Sequence, residues 1–441
     1  MMKGFKSIPA VEWLHIAVLC LTAPFLLFPT IRTWWLFLLI LLVWVVRYVK
    51  TGRFSSRTVL DIPILILLFQ VGVTCLTIPD FSFSLPKIAG FLLGVAVYYA
   101  LINACRSDEI LPYAIAGFLA VGLFFSIVGI LGMSKHDEPK YIKSLYHFLK
   151  KIPSIDFHFP GAEKGFHPNA VGGGLTLVLP LAAVVFFMVL KNWIRKRSFG
   201  RTGLLLLFIG IMFAISCGVF LLTQSRSSFA GIFVAICFFG VVTFRRKKAL
   251  LWGVPILMMA VFVGYFFLVG SDKLPYTDLE SRNKIIGRVK TFWIPAVETI
   301  KSHPVFGIGM NRARINPSVG YYQAHFHNHF LHMAAELGIP ALVAYFALLF
   351  GAGYMSWFTW RNAGEEWIRL SVLGLAGGQA AFFIFGFLDT IPLGAKAGLI
   401  FWISLGLIAV LFNRTVWLKQ REGSGVLSKR HNIEQGTGKG S

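Results

Sequence analysis

Three basic side chains and one imidazole sit where apolar sequence makes charge expensive. Arg226 interrupts LLTQSRSSFAGIFVAICFF, Arg288 lies in SRNKIIGRVKTFWIPAVETIKSHPVFGIGMNR, Lys87 stands alone in SLPKIAGFLLGVAVYYALIN, and His327 belongs to HFHNHFLHMAAELGIPALVAYFALL. Arginine suits a diphosphate, because its planar fork donates paired hydrogen bonds and keeps its charge at any working pH. A neutral histidine beside such a grip can take a proton from an incoming hydroxyl. Together the four residues would suit displacement of a lipid-linked diphosphate by an alcohol. Each also has a plainer reading. Arg226 would mark a turn whose helix is capped by Ser225, Ser227 or Ser228, while Arg288 and Lys87 would snorkel at a membrane edge. His325, His327, His329 and His332 could form a metal cluster, but no carboxylate or cysteine accompanies them at ligand spacing, so no metal is expected.

The elements that must position these residues are membrane helices. The 441 residues are 56% hydrophobic and 14% charged, with a mean hydropathy of +0.71, whereas about 25% of a soluble domain is charged. A soluble globular protein is excluded. Long apolar runs fall near 13–29, 33–47, 59–79, 85–104, 110–132, 168–190, 202–222, 227–244, 249–270, 329–357, 370–388 and 396–413. They are continuous blocks rather than alternating ones, which predicts twelve helical spans and no barrel. The fold class is therefore an all-α integral membrane protein, with residues 1–421 as one polytopic domain and 422–441 as a disordered polar cytoplasmic tail. No small-residue cleavage site follows Lys3 and Lys6, so the first span reads as uncleaved. Cys20, Cys75, Cys105, Cys217 and Cys237 are widely spaced in or beside apolar runs and read as small packing residues.

The formal charge of +23, from 42 Lys and Arg against 19 Asp and Glu, divides by side. With both termini cytoplasmic, 24 of the cations fall on the inner face, including the RKR cluster at 195–197 and RRKK at 245–248, as the positive-inside rule requires. Fourteen of the other 18 lie in two long outer loops, about 133–167 and 271–328, where topology alone predicts few. His136, His147, His158, His167, His303, His325, His327 and His329 are on the outer side too. A basic, histidine-rich outer surface suggests an anion site whose chemistry needs proton transfer rather than a nucleic-acid surface.

Within the second outer loop, Ile285, Val289, Phe292, Ala296 and Ile300 recur at helical spacing. They predict an amphipathic helix on the membrane face, with Arg288 about 60° from the centre of its apolar stripe and His303-Pro304 as its stop. His327 and Gly338 are eleven residues apart, so on a continuous tenth span they share a face within about 20°, together with Ala334 and Ala341. Those small residues would let another helix pack beneath the imidazole. Glu336, on the opposite face, is expected to bond a neighbouring helix.

Three stretches, TQSRSSFAGIF, RVKTFWIPAVETIKSHPVFGIGMNR and AHFHNHFLHMAAELGIPALVAYF, with FHPNAVGGGLTLVLPLAA at 166–183 as a weaker fourth, resemble the O-antigen ligases and related bacterial surface-polysaccharide polymerases. The family's His-x10-Gly motif maps onto His327 and Gly338. Its Arg-x3-Leu motif maps onto Arg288, with Phe292 where the family usually has Leu, and its serine-arginine maps onto Arg226. The resemblance implies a GT-C-like inner-membrane glycosyltransferase with a ligase-like core at about 202–357 and an active site facing the periplasm. It implies a donor glycan on undecaprenyl diphosphate and a hydroxyl acceptor, either the lipid A-core oligosaccharide or a growing glycan. No nucleotide sugar, metal or other cofactor is implied. On this reading Arg226, Arg288 and Lys87 hold the diphosphate, and His327 and Arg288 are catalytic. A repeat-unit polymerase uses the same donor, and a protein O-oligosaccharyltransferase or a lipid-linked-glycan flippase would also handle it.

Overall fold

The structure is a computed structural model that describes residues 9–30, 32–77, 81–105, 109–133, 143–153, 166–196, 200–244, 289–315 and 325–437. Every regular element among them is helical. The helices are α1 (Ala10–Leu27), α2 (Phe37–Thr51), α3 (Asp61–Thr77), α4 (Phe81–Ala104), α5 (Leu111–Met133), α6 (Lys143–Lys151), α7 (Pro168–Lys196), α8 (Gly200–Thr223), α9 (Arg226–Phe244), α10 (Ile294–Ser302), α11 (His329–Leu337), α12 (Ile339–Asn362), α13 (Glu366–Leu388) and α14 (Gly398–Thr437). Among the described residues nine helices are long and apolar enough to cross a membrane, and α3 and α9 are shorter apolar helices. The protein is an all-α integral membrane protein. The ninth expected span, 249–270, lies outside the described residues.

Two helical expectations differ from what is found. The tenth run does not form one helix: it breaks at Gly338 into α11 and α12. Hydropathy is blind to this break because both pieces are apolar, yet the chemistry that causes it is local. Asn328 caps α11, its Oδ1 accepting from the Phe330 and Leu331 N–H groups at 3.0 Å each, as an N-cap side chain does. At the other end Gly338 takes φ 86°, ψ 167°, a region open essentially to glycine alone, and Pro340 has no N–H to donate to the Glu336 carbonyl, which accepts from Gly309 N instead. The second difference is at the chain end. The backbone of α14 continues as helix to Thr437, through most of the stretch expected as a disordered tail, and no proline stands between Arg414 and Thr437 to stop it.

The bundle is organised around α13, which packs between α7 and α9 and also meets α12 and α14. One large apolar core joins α3, α4, α5 and α7 to α11–α14. Leu21, Leu76, Phe124, Phe187, Phe208 and Phe350 point outward and are exposed, which is the surface a lipid-facing helix requires. Antiparallel succession brings the start of α7, the α8–α9 corner, the start of α11 and the end of α13 to one end of the bundle. The opposite end gathers the polar ties at the ends of α1, α2, α7, α12, α13 and α14, among them Lys191–Glu366 at 2.9 Å.

Candidate active site

At the first of these ends His327 sits just outside α11, in the two residues before its cap. The expectation that it shares a helix face with Gly338 is therefore corrected. Its backbone is left-handed, φ 48°, a conformation that costs a non-glycine residue of order 1 kcal/mol and persists only where neighbours enforce it. Among the described residues Gln224, Asn311 and His327 share this feature, and all three lie in the turns of this one end.

What holds His327 is a carboxylate that local spacing did not reveal. Nδ1 of His327 is 3.2 Å from Oδ1 of Asp389, the residue that ends α13. The same Oδ1 accepts from the Thr390 N–H at 2.8 Å, and Oδ2 accepts from Asn169 Nδ2 at 2.6 Å. Burial raises the Asp389 carboxyl, but the hydrogen bond from His327, the nearby imidazoles and the Thr390 N–H outweigh it and lower the group to about 2. An ionised carboxylate only accepts, so in the neutral imidazole the shared proton belongs on Nδ1 of His327 and Nε2 is the acceptor. That is the tautomer a proton-abstracting histidine needs.

His325 stands against His327 with ring centroids 4.3 Å apart, its Nε2 3.9 Å from Asp389 Oδ1. Burial pulls its imidazole well below the usual range, more than Asp389 lifts it. The sequence places no carboxylate beside the histidines; in space Asp389 supplies one, and ligand-capable atoms of His325, His327 and Asp389 all lie within 4.8 Å of one another. His329 and His332 point elsewhere. His329 is buried against Tyr345 and Phe382, and His332 lies 3.3 Å from Glu336. Glu336 accepts from the Ala313 N–H at 3.1 Å and so bonds the short helical turn Arg312–Ile315.

The remaining expected residues are placed as follows. Arg288 lies outside the described residues, directly before a π-helical turn, Val289–Trp293, that leads into α10. Pro295 lacks the N–H that would bond the fourth residue back, which favours a widened turn, and the turn removes the regular 100° phase used to position Arg288. Phe292, which replaces the usual Leu, packs edge-on against His327 with centroids 4.6 Å apart. Arg226 is half-buried at the start of α9. Ser225 before it caps the helix, its Oγ accepting from the Ser228 N–H at 3.4 Å, and it is also bonded by Ser228 Oγ at 2.9 Å and paired with Ser227 Oγ at 3.1 Å. This corner packs closely on Gly172 of α7, one turn beyond Asn169, which in turn holds Asp389. Lys87 is half-buried on α4, with its backbone against Gly394 in the loop that Asp389 begins.

Gly338 serves the site from a distance. Its missing Cβ leaves room for the Val305 carbonyl, which an alanine would overlap. Ile339 N donates to Pro304 O at 2.8 Å, Ile308 N to Ala335 O at 2.9 Å, and Gln70 of α3 to Val305 O at 2.9 Å. The turn after α10 is thus clamped to the end of α11, which fixes the α10 segment and Phe292 relative to His327.

Residues 211–346 match the family model described as O-antigen ligase. Over this stretch, about a third of the chain, the sequence is similar to that family. The matched region contains Arg226, Arg288, His327 and Gly338, whereas Asn169 and Asp389 stand outside it, so the pair that holds the histidine is contributed by flanking helices. No curated protein matches the chain significantly. Asp389 and Asn169 are the residues that sequence reasoning missed. The available signal for Asp389 was a lone carboxylate in the short FLDTIPLG link between the last two spans.

Proposed function

We propose that the protein transfers a preassembled glycan from undecaprenyl diphosphate to an acceptor hydroxyl, as an O-antigen ligase acting on lipid A-core oligosaccharide at the periplasmic face of the inner membrane. The hydrogen bond between His327 and Asp389 carries this reading, because it leaves Nε2 as the proton acceptor. In the reaction Nε2 takes the hydroxyl proton as the oxygen attacks the anomeric carbon. The bond from that carbon to the diphosphate oxygen breaks on the opposite face, and the configuration inverts. Undecaprenyl diphosphate leaves with the bonding electrons. Arg226 and Arg288, with Lys87, bind the diphosphate and stabilise the charge that develops on it. Asp389 stabilises the imidazolium without itself becoming protonated, in the manner of an orienting carboxylate.

The test is incubation of purified protein with undecaprenyl-diphosphate glycan and lipid A-core, or with donor alone, followed by gel separation. A single shifted band on the lipid A-core is the expected result. A ladder from donor alone would replace the ligase reading by a polymerase, and movement of labelled donor across vesicles with no covalent product would replace it by a transporter.

A further inference from the structure

We propose that His325, His327 and Asp389 form a zinc-binding site and that the metal, when bound, blocks the base rather than assisting it. Two imidazoles and one carboxylate are a donor set suited to zinc. The distances favour a shared ion over a hydrogen-bonded triad. His325 Nε2 is 3.9 Å from Asp389 Oδ1, too far for a hydrogen bond, while His327 Nδ1 is 3.2 Å from it. Two ligands of a tetrahedral zinc at about 2.0–2.1 Å stand roughly 3.3 Å apart, so a small inward movement of His325 closes the set. Among the described residues no hydrogen bond ties that ring against the movement: its Nδ1 is buried without a hydrogen-bond partner, and its Nε2 stands 3.9 Å from the carboxylate. Asp389, by contrast, is already held by Asn169 and by the Thr390 N–H, the kind of outer-shell support that orients a metal ligand.

Binding has a defined consequence for His327. Coordination uses the Nδ1 lone pair, so the proton that Nδ1 shares with Asp389 is transferred through solvent to Nε2, with no net proton released. Nε2 then donates instead of accepting and is unable to take a proton from a hydroxyl. Zinc binding is independent of the catalytic reading; its inhibitory effect rests on His327 being the base.

The experiment uses the full chain, purified in detergent and stripped of metal. Zinc chloride alone is titrated by calorimetry, and cobalt(II) is added in parallel to read a tetrahedral visible spectrum. One retained equivalent of zinc is expected, with transfer falling as the metal loads and returning when a chelator is added. His325→Ala, and His325→Gln should the alanine variant fail to fold, should keep the zinc-free transfer rate. Either variant should weaken zinc binding by more than the 10–100-fold typical of losing an outer-shell partner and resist inhibition. Absence of a retained equivalent, or retention unchanged in the His325 variants, overturns the site. Zinc bound at the site with transfer undiminished leaves the site standing and overturns the part assigned to His327 as base.

Discussion

The two ends of the bundle treat buried charge in opposite ways. At the end where α1 and α2 meet, Arg47 and Glu12 form a pair at 2.9 Å with side chains only 2% and 3% exposed, and Arg47 also donates to the Arg53 carbonyl at 2.6 Å. Nearby, Asp61 is held by the Thr58 N–H and hydroxyl and by Tyr99. Each charge there has its own partner, drawn from the same or a neighbouring helix. At the other end Asp389 is bonded to His327, with His325 3.9 Å away, and among the described residues three non-glycine residues hold left-handed backbone. A charge paired with an opposite charge locks helices together, whereas a carboxylate bonded to one nitrogen of a neutral imidazole leaves the other open to a proton. On the proposed mechanism, stability and chemistry fall at different ends.

This contrast is broken or sharpened by substitutions ordered by their effect on transfer per folded molecule. Arg288→Ala removes the donor proposed for the leaving diphosphate and should lower transfer by about 10²–10³-fold or more, read as product formed per unit of membrane-inserted protein. Asp389→Asn keeps the shape but no longer enforces the proton on Nδ1. A fall on the order of 10²-fold is expected, less than the roughly 10⁴-fold seen when an orienting carboxylate is lost from a serine-histidine pair, with KM for the acceptor little changed. Asn169→Ala frees only one oxygen of that carboxylate, and a loss within about tenfold is expected, in the range for outer-shell partners. At the opposite end Glu12→Gln strands a buried guanidinium, which should cost about 3–5 kcal/mol of stability and lower the thermal midpoint in detergent while leaving transfer per folded molecule unchanged. If Glu12→Gln slowed transfer as much as Asp389→Asn, the division between the two ends would be lost.

The apolar runs were legible because hydropathy is additive along a helix: ten of the twelve each coincide with one helix, the tenth run is divided between α11 and α12, and 249–270 lies outside the described residues. The break at Gly338 was not legible from hydropathy, although Asn328 and the Gly338-Ile339-Pro340 sequence carried the information as a cap and a stop. Assuming a continuous helix put His327 on the wrong element, although its type and surroundings are what make it a candidate in the sequence. Asp389 was missed for a different reason. Its contact with His327 crosses 62 positions, and no periodicity links residues brought together by the ends of two separate helices. The matched region also stops at residue 346, before the helix that delivers it.

The most direct test of His327 as the base is transfer by purified His327→Ala, supplied with undecaprenyl-diphosphate glycan and lipid A-core and compared with the unsubstituted chain at equal folded concentration. No detectable glycosylated lipid A-core is the predicted result, with the variant inserted and as thermally stable as the parent. Transfer at the parent rate would contradict it.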